Sequence, residues 1–246
     1  ARNEEPRIKN GYWQPRKPIV SVEFRPIRNP IPMYVKEVFI AVPKTGEPVG
    51  FDLLKGDWVV PHGEGKTADM MLTIRGEVKD NDHAWSNLTV RFSNENDGII
   101  PVTVVEEKYG NESEYWFPYY KAPDKGYKSQ IERSWRKWGE KRKGTGEWKN
   151  RHFVFRIRTR LDEEGNVIDA LYGKIYHNIR GLFLWKGAQI GSVNAVKFTY
   201  YLNPNGTRNL EYDPPKNLFL QKDDGTFWRP SSPYARKHQE YIRGKP

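Results

Sequence analysis

Cysteine is absent from all 246 residues, which removes disulfides, thiolate metal sites and cysteine nucleophiles. Long hydrophobic runs are absent too: no stretch approaches the ~18 apolar residues of a membrane span. GxSxG does not occur, so the serine-nucleophile elbow is absent. His62, His83, His152, His177 and His238 are scattered, with no HxH or HExxH spacing, and zinc has no sequence support. The fragment Gly63-Glu64-Gly65-Lys66-Thr67 lacks the first glycine of a phosphate-binding loop and precedes a strand rather than a helix. The oxygen-rich turns Asn94–Gly98 and Asp80–Asp82 lack the distal glutamate of a calcium loop and read as turn chemistry. No catalytic residue, metal or cofactor is therefore expected, and the chain reads as a non-enzyme.

What is present is charge and aromatic bulk. Charged residues make up 29 % of the chain, aromatics 14 %, and the net charge is +10. An apolar fraction of 37 % suffices for a folded core that leans on Tyr, Trp and Phe. The charge is uneven: Lys125–Arg151 holds ten Lys or Arg against three Glu, with Trp135, Trp138 and Trp148 among them. Such a segment suits an anionic partner, against the plainer reading of a solvated loop.

Proline marks the two ends, with six residues between Pro6 and Pro32 and six between Pro204 and Pro246. The division read from this is an extended arm over 1–33, a core domain over 34–202 and a second extended arm over 203–246. Arms of this kind are expected to be held on their own domain or on a neighbouring subunit.

Between the arms, strands are read at Ile19–Arg25, Tyr34–Val42, Trp58–Val60, Met70–Val78, Leu88–Phe92, Ile99–Val105, Tyr115–Tyr120, His152–Leu161, Val167–Asn178, Leu182–Trp185 and Val193–Leu202. Ser129–Glu140 is the one stretch read as a short helix. It would put Trp135 and Trp138 on one face, as anchors beneath a basic surface. The fold class is all-β: an antiparallel β-sandwich with proline-rich arms and at most one short helix.

His152–His177 carries the most information. A five-residue loop at Asp162–Asn166 sets Leu161 opposite Val167, Thr159 opposite Asp169, Ile157 opposite Leu171, Phe155 opposite Gly173 and Phe153 opposite Ile175. That face is apolar, with the Phe155 ring over the bare glycine and Asp169 raised in pKa by burial or, more plainly, hydrogen-bonded to Thr159. The other face sets Arg160 opposite Ile168, Arg158 opposite Ala170, Arg156 opposite Tyr172 and Val154 opposite Lys174. Its guanidinium groups line up toward solvent or a partner, or pair with acids of a neighbouring strand. Sequons stand at Asn87, Asn111 and Asn205.

The function read first is a non-enzymatic structural or interaction subunit of a larger extracellular assembly, docking through its arms and a basic, aromatic face. Other protein subunits would be its partners. Starting at Ala1 without a leader, the chain is read as secreted and processed. The alternative is a binding module for an acidic polysaccharide, with nucleic acid behind it. A β-sandwich glycan lyase or hydrolase ranks last, since carboxylates such as Asp169 and Glu211 are only candidates. The residues expected to meet the partner are Arg156, Arg158, Arg160, Tyr172, Lys174, Trp135, Trp138 and Arg142.

Overall fold

The computed structural model describes residues 28–80, 82–102, 120–144, 152–186, 189–222 and 225, and the backbone of 7–9 and 12–14. Side chains at 142, 177 and 183–193 lie outside the described set. The first sheet contains β3 (Ile31–Ala41), β8 (Gly98–Val102), β11 (His152–Leu161), β12 (Val167–Lys186), β13 (Gln189–Asn203) and β14 (Tyr212–Asn217). Its strands run in the order β14-β3-β13-β12-β11-β8. The second contains β4 (Val49–Asp52), β5 (Asp57–Trp58), β6 (Met70–Val78), β7 (His83–Phe92), β9 (Gln130–Trp138) and β10 (Lys141–Gly144), in the order β10-β9-β7-β6-β4-β5. A separate ribbon pairs β1 (Arg7–Lys9) with β2 (Tyr12–Gln14). Among the described strands every pairing is antiparallel except β14 with β3, and the two large sheets pack as the expected sandwich.

Aromatic residues join the sheets, as the composition requires. Phe51 of the second sheet meets Phe198 of the first edge-on at 5.6 Å. Trp58 packs edge-on against Phe51 at 5.4 Å and donates its indole N–H to the Ala41 carbonyl at 3.1 Å. Tyr200, fully buried, donates its hydroxyl to the Leu53 carbonyl at 2.6 Å. Burial holds that phenol well above its ordinary pKa.

Beyond β13, strand β14 lies against β3 of the first sheet. Pro214 and Pro215 have no N–H for a ladder, and the Asn217 side chain supplies the pairing instead. Its amide donates to the Val35 carbonyl at 2.8 Å and accepts from the Val35 N–H at 3.1 Å, fully buried. Upstream, Glu211 accepts the backbone N–H groups of Arg28 and Asn29, and its own carbonyl accepts from Ile31 at 2.9 Å.

Ser129–Glu140 is not a helix. It is β9, and the Leu218–Leu220 3-10 turn is the only helical element among the described residues. Alternation in β9 is hidden because the side facing the first sheet mixes Ile131 with Arg133, whose guanidinium lies 5.5 Å from the Phe153 ring and donates to Asn178 at 2.6 Å. In a strand, Trp135 and Trp138 fall on opposite faces. Strand β7 begins five residues earlier than expected, at His83, and β12 joins two segments that were read separately. Strands β1, β2, β4, β10 and β14 are not among the expected ones, while Ile19–Arg25, 103–105 and 115–119 lie outside the described residues.

Candidate functional site

The hairpin holds its expected register through most of its length: Phe153↔Ile175, Val154↔Lys174, Phe155↔Gly173, Arg156↔Tyr172, Ile157↔Leu171 and Leu161↔Val167. The loop is closed by Asp162, whose carboxylate accepts the Asn166 N–H at 2.6 Å and its side-chain amide at 3.0 Å. Those hydrogen bonds lower the Asp162 pKa.

Between Ile157 and Leu161 the register breaks. Arg160, not Thr159, stands opposite Asp169, and Arg158 takes the left-handed φ of 54°. This conformation is unfavourable for a side chain with a Cβ. Asp97, in the turn before β8, accounts for it by accepting the N–H of Arg158 at 2.8 Å and of Thr159 at 2.9 Å. The bulge swings Arg158 across to the second sheet. Its guanidinium donates to Asp69 at 2.8 and 3.1 Å and to Asp52 at 3.2 Å. Burial opposes charge on Asp52, but N–H groups of Lys66, Thr67 and Lys55 and the guanidinium outweigh it and lower its pKa. Burial dominates at Asp69 and Asp97, raising both carboxyls despite their hydrogen bonds.

The face expected to meet solvent is covered as well. Segments 120–122 and 208–210 pair through Ala122 N–H to Arg208 O at 2.7 Å and Leu210 N–H to Tyr120 O at 2.9 Å. They lie over the hairpin, and Val102, Ala122, Val154, Ala170, Tyr172 and Leu210 form a second apolar cluster there. Arg156 lies 4.8 Å from the Tyr127 ring and donates to the Asn96 carbonyl at 2.6 Å. Tyr172 is buried at 5 % exposure. Lys174 donates to the Leu210 carbonyl at 2.8 Å beside the Tyr201 ring, and burial lowers its pKa to about 8. Arg160 alone of these stays exposed, and it pairs with Asp169 at 2.8 Å. Asp169 is therefore half-exposed on an ion pair rather than buried on the apolar face. The expectation of a solvent-facing row of guanidinium groups is thereby corrected: a third layer and a bulge consume Arg156 and Arg158.

The remaining predicted residues belong to the second sheet. Trp135 is half-buried opposite Ser86. Trp138 is 61 % exposed, and His83 meets its ring edge-on at 4.8 Å. Arg142 stands opposite Lys137 in β10, and its side chain lies outside the described set.

Trp138 opens onto a surface that the sequence reading passed over: the outer face of β6, β7 and β9. A groove of about 510 Å³ runs across it, lined by Arg75, Asn87, Thr89, Arg91, Gln130 and Glu132 among others. Cross-strand register fixes the arrangement. Arg91 stands between Met71 and Gln130, Thr89 between Thr73 and Glu132, and Asn87 between Arg75 and Ser134. Further along, Trp85 stands between Glu77 and Arg136 and His83 opposite Trp138, with Lys143 and Lys141 on the adjoining β10. Alternation in Met70–Val78 and backward from Phe92 was the signal that marks this face. Reading β9 as a helix hid the third strand.

No group of three or more His, Cys, Asp or Glu among the described residues has metal-binding geometry. The chain matches no known protein family, no curated protein and no solved structure.

Proposed function

We propose that this protein is a non-catalytic binding module for an acidic polysaccharide, held on the outer face of β6, β7 and β9. The groove carries this reading. It combines guanidinium forks at Arg75 and Arg91, suited to carboxylate or sulfate, with amide and hydroxyl groups at Asn87, Thr73, Thr89 and Ser134, suited to sugar hydroxyls. An exposed indole, Trp138, stands beyond it on the same face. The test is titration of the full chain with hyaluronan oligomers over a range of salt. Affinity should fall as salt rises, and Arg75→Gln with Arg91→Gln should weaken it about tenfold at low salt, since each exposed charge contributes up to ~1 kcal/mol. Binding that ignores both salt and these substitutions sinks the proposal.

A second reading is the interaction subunit of an extracellular assembly. It is favoured by an apolar patch at the start of β12, where Ile168 is 61 % and Val167 39 % exposed. Light scattering tests it: Ile168→Glu should reduce an associated species to monomer. A wild-type chain that is monomeric at high concentration ends the self-assembly form of this reading.

A further inference from the structure

Building on the polysaccharide reading, we infer that the groove takes a glycan whose anionic and uncharged units alternate, rather than one charged at every unit. The charge order along the face supports this. Arg91 and Arg75 occupy rows four residues apart along β7, roughly 14 Å at strand spacing. In the intermediate row, beside Thr89 on the side of β7 away from Arg75, stands the exposed carboxylate of Glu132, with the Gln130 amide donating to it at 3.2 Å. A chain with an acid on every unit lays one of its charges against Glu132. An alternating chain sets its anions on Arg91 and Arg75 and an uncharged unit over Glu132, where the carboxylate accepts a sugar hydroxyl.

The far end of the face adds aromatic rings to the charged groups. Beyond Arg75 comes the row of Glu77, Trp85 and Arg136, then that of His83 and Trp138. Trp85 and Trp138 are diagonal neighbours, about 7–8 Å apart. Trp138 is braced but not covered: His83 touches it at 4.8 Å, and the His83 Nδ1 is held by both Asp80 oxygens at 2.8 and 2.9 Å. A braced, 61 % exposed indole is a platform for the apolar face of an uncharged sugar.

The test compares three probes on the full chain: hyaluronan oligomers, in which uronate and uncharged amino sugar alternate; oligogalacturonate, in which every unit is a uronate; and single-stranded DNA. Hyaluronan should bind tightest, by about tenfold over oligogalacturonate, from one unfavourable like-charge contact in the latter. Glu132→Gln should erase most of that preference by strengthening oligogalacturonate. Trp138→Ala should weaken hyaluronan and leave its salt dependence unchanged, with Trp138→Phe recovering part of the loss. Equal affinity for the two glycans, a preference unmoved by Glu132→Gln, or tighter binding of DNA overturns the inference while leaving an anion-binding face in place. Failure of all three probes to bind overturns the polysaccharide reading itself.

Discussion

Arg158 reaches from the first sheet to grip Asp69 of the second with two hydrogen bonds, at 2.8 and 3.1 Å, from a left-handed backbone. The Asp69 side chain is 1 % exposed and that of Asp52, the second acceptor, 4 %. Removing the guanidinium strands two buried carboxylates. Arg158→Leu should therefore destabilise the fold by about 3 kcal/mol, read by urea denaturation. Arg158→Gly should not recover that loss, although glycine relieves the backbone. A glycine variant as stable as the wild type would show that backbone strain, and not the ion pair, dominates at this position.

Gly173 sits under the Phe155 ring, and a Cβ there would lie 2.2 Å from the ring and 2.5 Å from the Tyr201 carbonyl oxygen. Gly173→Ala should lower stability by about 3 kcal/mol, at the upper end of overpacking effects, because a backbone oxygen gives way less easily than a side chain. Adding Phe155→Leu relieves only the ring contact. The double variant should recover part of the loss.

Lys174 gives the stability a distinctive dependence on pH. Its folded pKa of about 8 lies below the ordinary 10.5, so between those values the unfolded chain holds the proton that the folded chain has released. Stability must then rise with pH from about 8. Tyr201 acts oppositely, because burial raises its phenol to about 12, and stability falls again above about pH 10 as unfolded tyrosines ionise. Lys174→Met should flatten the rise, worth roughly 2 kcal/mol between pH 8 and 10, in chemical denaturation at fixed temperature. A variant that keeps the rise assigns it to another group.

Asp97 holds the bulge through two backbone N–H groups. Asp97→Ala leaves both donors without that acceptor and should cost about 2 kcal/mol. Because the bulge aims Arg158, combining Asp97→Ala with Arg158→Leu should cost less than the sum of the two, a coupling that a double-mutant cycle measures.

Much of this fold was legible from alternation alone. Met70–Val78 and His152–Leu161 have the bounds that their patterns indicate, and the Phe155–Gly173 pair follows from counting back across the Asp162–Asn166 loop. Arg158 was not legible. Alternation puts it on the same face as Arg156, and only the long-range contact with Asp97, 61 residues away, turns it over. Nor does a local pattern show that 120–122 and 208–210 close over the hairpin. The outer face of β6, β7 and β9 stayed hidden for a third reason. Arg133 occupies a position where a strand ordinarily carries an apolar residue, so the period of β9 is masked until Asn178 is seen to receive its guanidinium.

The central claim is that β6, β7 and β9, and not the arginine hairpin, present the binding face. Chemical-shift mapping by NMR with hyaluronan oligomers tests it most directly. The account predicts perturbations at Arg75, Asn87, Arg91, Gln130 and the Trp138 indole, with β11 and β12 unmoved. Perturbations centred on Arg156, Arg160 and Ile168, with β7 and β9 silent, would contradict it.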